Sequence, residues 1–300
     1  MKILVTGSNG LLGQKLVHKL KADEAVELIA TARGHNRLQD HTGYTYASLD
    51  ITQEQEVKKV LAEYAPEVVI NTAAMTNVDA CESDKEGCDK LNIDAVRFLV
   101  QACQANNIHL VHLSTDFIFD GENGPYKEEN EAKPLSYYGE SKLKGEQIIR
   151  ESDISFAILR TVLVYGVAEA MSRSNIVLWA KGALEKEQKI NVVDDQFRSP
   201  TLAEDLADGC ILAAKQKAQG IYNISGKDFM SIIELVWAVA DFWDLDKSLI
   251  SAVSSNTLSQ PAKRPPKTGF IIAKAQKELG YQPHSFKEGL ALVDKQLRVQ

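Results

Sequence analysis

Tyr138 and Lys142 stand four residues apart in the run YGESK, at the start of a predicted helix. That spacing puts a phenol and an ammonium on one helix face, within reach of each other and of a common ligand. A free phenol has a pKa of about 10 and is a poor proton relay at neutral pH. A neighbouring ammonium stabilises the phenolate and brings the group toward the working range of a general acid. A Tyr/Lys pair on a solvated surface has the same spacing, so chemistry requires further residues. Two groups supply them: Ser114-Thr115 at the end of a predicted strand, and the glycines Gly7, Gly10 and Gly13.

The glycines are spaced G-x-x-G-x-x-G, with Ser8, Asn9, Leu11 and Leu12 between them. They lie where a strand gives way to a helix. A turn there, close backbone approach and the free N–H groups of a helix N-terminus suit a pyrophosphate. An NAD site usually adds an Asp or Glu at the end of the second strand, about 20 residues beyond the glycines. From Leu28 to Gln39 no acid occurs, and Thr31, Arg33 and Arg37 stand there instead. A guanidinium suits a 2′-phosphate through charge and bidentate hydrogen bonds. NADP(H) is therefore favoured over NAD(H), with Arg33 the leading contact and NAD kept as the other cofactor.

The elements that must hold these residues alternate in type. Short β-branched runs at 2–6, 26–31, 44–48, 67–71, 109–113 and 154–159 read as strands. Helical spacing fills 11–20, 53–64, much of 83–106 and 136–150, while 120–134 is a Gly/Pro/Asn-rich surface loop. This is the pattern of βαβ units around a parallel sheet. Past Tyr165 the alternation loosens, with strands at 189–193 and 220–224 and helices near 202–214, 231–243, 273–279 and 286–297. The segment 260–267 reads as a loop. The expected fold class is α/β: a Rossmann-type parallel sheet with helices on both faces, plus a smaller, interleaved C-terminal substrate domain. Residues 1–165, rejoined by 189–225, would form the nucleotide-binding domain; 166–188 and 226–300 would form the other.

Composition narrows the function classes. Thirty-four Lys+Arg against 41 Asp+Glu give a net charge of −7, without the basic excess of a protein that coats nucleic acid or an anionic membrane. There is no signal-peptide pattern and no apolar run of about 18 residues, so neither secretion nor a membrane span is expected. Cys81, Cys88, Cys103 and Cys210 contain no C-x-x-C pair and read as free thiols in a cytoplasmic protein. The six histidines lack ligand spacing, His109 and His112 reading as satisfied core residues, and no metal is expected. Trp179, Trp237 and Trp243 fall on helical patterns and read as core.

TGSNGLLG (6–13), NTAAMTNVDACE (71–82), LSTDFIFDG (113–121), YGESKLKGE (138–146), LRTVLVYG (159–166) and VVDDQFRSPT (192–201) span the chain. Together they resemble the extended short-chain dehydrogenases/reductases, and within them the dTDP-4-dehydrorhamnose reductase family. That resemblance implies an NADPH-dependent reductase of a 4-keto deoxy-sugar nucleotide. It makes Tyr138 the proton donor, Lys142 its activator and ribose anchor, and Thr115 a hydrogen-bond partner of the carbonyl oxygen. Ser8 to Leu12 would wrap the pyrophosphate, Asp50 and Ile51 would flank the adenine, and Ala73, Ala74 and Thr76 would line the nicotinamide side. Asn92 would brace the site, and Thr115, Asp116, Leu163 and Arg198 would face the sugar nucleotide.

Two positions depart from the family's usual pattern. Leu163 replaces a tryptophan and Met75 a histidine, which leaves the hydride machinery intact and puts the sugar in question. Arg264 joins Arg198 as a diphosphate or interface contact. Two other functions use the same scaffold. A sugar-nucleotide epimerase or dehydratase is one, although Thr115-Asp116-Phe117 lacks the Glu that dehydration needs. A non-catalytic NADP-binding subunit, like the regulatory β subunit of methionine adenosyltransferase, is the other. A homodimer is left open.

Overall fold

A computed structural model describes residues 1–170, 174–257 and 259–298. The first half lays down β1 (Lys2–Thr6), α1 (Leu11–Leu20), β2 (Glu27–Ala32), β3 (Thr45–Ser48), α2 (Glu54–Tyr64) and β4 (Val68–Asn71). Then come α3 (Val78–Ser83), α4 (Lys85–Asp89), α5 (Ala95–Asn106), β5 (His109–Thr115), α6 (Tyr137–Arg150) and β6 (Phe156–Thr161). The second half holds β7 (Val164–Tyr165), α7 (Ile176–Leu184), β8 (Ile190–Val193), β9 (Phe197–Arg198), β10 (Thr201–Leu202) and α8 (Ala203–Lys215). It closes with β11 (Gly220–Asn223), β12 (Met230–Ser231), α9 (Ile232–Phe242), β13 (Ile250–Val253), α10 (Ala273–Leu279) and α11 (Phe286–Leu297).

Seven strands form one parallel sheet in the order β11-β6-β5-β4-β1-β2-β3. Its inner strands β1 and β4 are buried apolar runs, as parallel strands under two helical layers must be, while the edge strand β3 is partly exposed. Alternate residues serve opposite cores: Ile3 and Val5 pack toward α1 and α8, Leu4 toward α2 and α5. The order reverses between β1 and β4, which opens a crevice at the strands' C-terminal ends.

A third core joins α7, α9 and α11 around the pair β8·β13. This redraws the expected division. The strand at 189–193 exists but pairs with β13 outside the main sheet, while β11 rejoins the sheet as expected. Ala275, Leu279 and Tyr281, expected in the substrate half, pack into the core under α8.

The helix expected within 83–106 is broken into α4, a π turn at Lys90–Asp94 and α5. Trp179 and Trp237 are not core residues: their helices bury the opposite face, leaving them 42% and 41% exposed. Among the described residues no helix is long and apolar enough to cross a membrane.

Candidate active site

The C-terminal ends of the central strands and the third core enclose a cleft of about 780 Å³. Of the residues singled out from sequence, Asn9, Gly10, Leu11, Leu12, Gly13, Arg37, Ala74, Thr76, Thr115, Asp116, Tyr138, Lys142, Leu163, Arg198 and Arg264 line it. Gly7, Ser8, Arg33, Asp50, Ile51 and Ala73 are not on its wall.

The glycine turn is compact because it must be. A side chain at Gly13 would lie 2.2 Å from the Gly7 carbonyl oxygen. Gly10 caps α1, whose first turn holds no acidic residue, so its positive end faces the cleft uncompensated. Ser8 Oγ is buried in this turn without a hydrogen-bond partner. Open amides, no competing carboxylate and an orphaned hydroxyl fit a dinucleotide pyrophosphate. Asn9 pins the loop after β2 by accepting from Arg37 N–H at 2.9 Å and donating to the His35 carbonyl at 2.9 Å. Both arginines are exposed; the path of that loop puts Arg37 on the cleft wall, while Arg33, just past β2, is not on it.

Ser136 caps α6 through Gly139 N–H, fixing Tyr138 in its first turn. The phenol packs edge-on to Phe117 and lies beside Thr115. Burial pushes the Tyr138 phenol well above its ordinary value, and hydrogen bonding with Thr115 pulls it back. One turn on, Lys142 Nζ donates to the Leu113 carbonyl at 2.7 Å. Burial brings its ammonium down to about 8, against opposition from Glu146. Phenol and ammonium thus share a buried wall, as the spacing predicted.

Thr115 Oγ1 accepts from Phe117 N–H at 3.2 Å and lies 3.1 Å from Asp116 Oδ1. Asp116 also receives the Thr268 hydroxyl, and Arg198 Nε lies 3.8 Å away. Burial raises the Asp116 carboxyl, and Arg198 and Thr268 pull it down. Arg198 reaches the cleft wall, yet its terminal nitrogens donate to the Phe197, Pro265 and Pro266 carbonyls and to Gln196. It ties Pro265 and Pro266 to β9. Arg264 is likewise engaged, by both carboxylate oxygens of Asp79.

Asn92 lies in the π turn. Its side chain accepts from Met75 N–H at 2.9 Å and donates to the Met75 carbonyl and to Ser141 Oγ, both at 3.0 Å. It ties the segment after β4 to α6. Gly145 lets the two backbones meet, since a Cβ there would sit 2.8 Å from the Asn92 carbonyl. Leu163 joins β6 to β7 with φ at +40°, a left-handed conformation that is costly for leucine.

The sequence reading missed several wall residues. Ser114, which the sequence marked together with Thr115, is not among them: it is on the wall, with its Oγ buried and without a partner. Asn175, Trp179 and Gln196 line the far wall. Asn175 at the start of an apolar-periodic run was a legible cap signal; the others had none.

A parallel sheet with a switch-point cleft, a glycine turn and a Tyr-x-x-x-Lys pair define a dinucleotide-binding oxidoreductase fold. Over residues 1–299 the chain matches the family model described as the RmlD substrate binding domain, and it belongs to that family, a branch of the extended short-chain dehydrogenases/reductases. It is 34% identical over 269 residues to a probable dTDP-4,6-dihydroxy-2-methyloxan-3-one 4-ketoreductase of Streptomyces antibioticus, covering 88% of this chain and 85% of the relative. It is 28% identical to methionine adenosyltransferase 2 subunit beta of Xenopus laevis, over 99% of this chain and 90% of that one. A crystal structure of a dTDP-4-dehydrorhamnose reductase from Clostridium acetobutylicum superposes with a TM-score of 0.88 at 30% identity, covering 99% and 100% of the two chains. A second, from Bacillus anthracis in complex with NADP, gives 0.85 at 26% identity, covering 98% and 99%.

Proposed function

We propose that the protein is a sugar-nucleotide reductase that uses NADPH to reduce the carbonyl of a 4-keto deoxy-sugar. The observation that carries this is the convergence of Tyr138, Lys142 and Thr115 on one cleft that the glycine turn also lines. Gly10 to Gly13 and Ser8 would hold the pyrophosphate, Arg37 a 2′-phosphate, and Lys142 the nicotinamide ribose. NAD remains the cofactor to compare, and Asp50 and Ile51, at the end of the edge strand β3, would lie toward the adenine. NADPH, once bound, supplies the hydride that the carbonyl carbon receives. Tyr138 holds a proton at its phenol oxygen and delivers it to the carbonyl oxygen. Lys142, as the ammonium, stabilises the phenolate left behind. Thr115 hydrogen-bonds the same carbonyl oxygen, an interaction that strengthens as charge builds there. Phe117 and the buried α6 wall keep water from the phenol, and Asn92 holds that wall in register.

The third core and its adjoining strands supply the substrate-facing half, with Leu163 at the seam. A second function rests on the likeness to methionine adenosyltransferase 2 subunit beta, whose name describes a subunit of another enzyme. The deciding experiment is NADPH oxidation across a panel of keto-sugar nucleotides that includes dTDP-4-dehydrorhamnose. Steady turnover is expected, and Tyr138→Phe lowers it roughly 10²–10⁴-fold while NADPH binding survives. No turnover with any member, or an unaffected Tyr138→Phe variant, refutes the reductase.

A further inference from the structure

Beneath the catalytic helix a buried polar chain runs from the first strand to Lys142. The Thr6 hydroxyl donates to Asn71 Oδ1 at 2.6 Å, Asn71 Nδ2 lies 3.0 Å from His112 Nδ1, and His112 Nε2 lies 3.4 Å from Lys142 Nζ. The sheet register builds this line, pairing Thr6 with Asn71 and Asn71 with His112 across β1, β4 and β5. Thr6, Asn71 and His112 are buried behind the sheet, so their polar atoms must find partners within the chain, and Lys142 carries the line to the cleft wall.

The direction of the chain follows from its first member. Thr6 is buried, and Asn71 is the acceptor for its hydroxyl proton. Turning the Asn71 amide round would orphan that proton, which is costly in a dry interior. The Asn71 amino group therefore faces the ring. Nδ1 of His112 accepts, and the proton of the neutral imidazole sits on Nε2, aimed at Lys142. An ammonium has no lone pair to receive it; an amine has one. The amine can accept from His112 and still donate to the Leu113 carbonyl.

We propose that His112 is a positioning residue for Lys142, whose Nε2–H anchors Nζ and favours its uncharged form, so that the chain sets the pH at which Lys142 gives up its charge. This rests on the role given to Lys142 above, and it opposes the other groups facing Nζ. Glu146 on the same helix and Cys81 and Cys88 from α3 and α4 favour the ammonium, while burial disfavours it. The ring itself stays neutral, because burial and the neighbouring Lys142 hold His112 well below the usual imidazole range.

The test reads the ligand-free protein, apart from any turnover. Long-range ¹H–¹⁵N spectra of histidine-labelled protein, with His112→Gln assigning the signal, show which ring nitrogen is protonated. The neutral Nε2–H form is expected, its ring titrating well below the usual imidazole range; a dominant Nδ1–H form overturns the proposal. The ¹³Cε shift of Lys142, followed against pH, gives the second readout. His112→Leu removes the N–H and moves the lysine midpoint up by about one pH unit, the scale of one hydrogen bond to an ionisable group. His112→Gln keeps an amide N–H at that end and holds the midpoint near the parent's. An unmoved or lowered midpoint in His112→Leu overturns the proposal, and should that variant not fold, the tautomer decides. If Tyr138→Phe leaves turnover intact, the reductase mechanism fails while both spectroscopic results still stand.

Discussion

Removing the guanidinium of Arg160 should be among the most damaging single changes outside the cleft. Arg160 on β6 grips Glu146 of α6 at both oxygens, with Nε to Oε1 at 3.0 Å and Nη2 to Oε2 at 2.7 Å. Its Nη1 donates to the Glu128 carbonyl at 2.9 Å, and Phe119 lies under the guanidinium. The pair is dry, with side-chain exposures of 3% and 0%. Arg160→Met keeps most of the volume but strands a buried carboxylate without the guanidinium that grips both its oxygens. Breaking a buried pair from one side costs ~3–5 kcal/mol. The orphaned Glu128 carbonyl adds about 1 kcal/mol. Equilibrium urea unfolding at pH 7 measures the sum. The double variant Arg160→Met/Glu146→Leu strands no charge, and replacing both partners with apolar groups is often neutral or stabilising. It should therefore recover at least ~2 kcal/mol over Arg160→Met. A single variant within about 1 kcal/mol of the parent, or a double variant no better than the single, refutes the reasoning.

Arg37→Ala should weaken NADPH selectively, by about 1–3 kcal/mol for a charge-assisted contact, whereas Arg33→Ala should change it little. Calorimetric titration with NADPH and NADH checks both, and equal affinity of the parent for the two cofactors contradicts the assignment. Leu163→Trp adds a ring face beside the cleft without altering the backbone path. Its kcat/KM for dTDP-4-dehydrorhamnose should rise above the parent's, and a fall means that the seam has no room for an indole. Lys142→Met should lose both turnover and NADPH affinity, and Thr115→Val mainly turnover, as steady-state kinetics beside binding titrations will show. Because burial holds the Lys142 ammonium near 8, turnover at saturating substrate should decline as pH rises through that value, when the charge beside Tyr138 is lost.

Much of this was legible because it follows from local pattern. Two-sided apolar runs announce parallel strands, and the glycine turn and the Tyr138–Lys142 pair are each set by spacing within one element. What was hidden depends on contacts between distant segments. The π turn at Lys90–Asp94 is a local change of hydrogen-bond pattern inside continuous helix, so the sequence shows one helix where the chain inserts the turn that carries Asn92. Asp116 meets Thr268 across 152 positions. Arg37 rather than Arg33 reaches the cleft because Asn9 steers the intervening loop. His112 does read as a satisfied core histidine, but nothing local says that it is satisfied by Lys142.

The two kinds of residue also ride on different supports. Thr115 ends β5 and Lys142 hangs above it, so their positions are set by the sheet register that also aligns Thr6, Asn71 and His112. That register cannot slip by one residue without turning every side chain to the wrong core. The opposite wall is built from two-residue strands, a left-handed leucine and the outward tryptophan of α7. Those elements can change without disturbing the sheet. A chain with a family's catalytic wall and an altered far wall can keep the reaction while taking a different sugar, and Leu163 lies where the two walls meet.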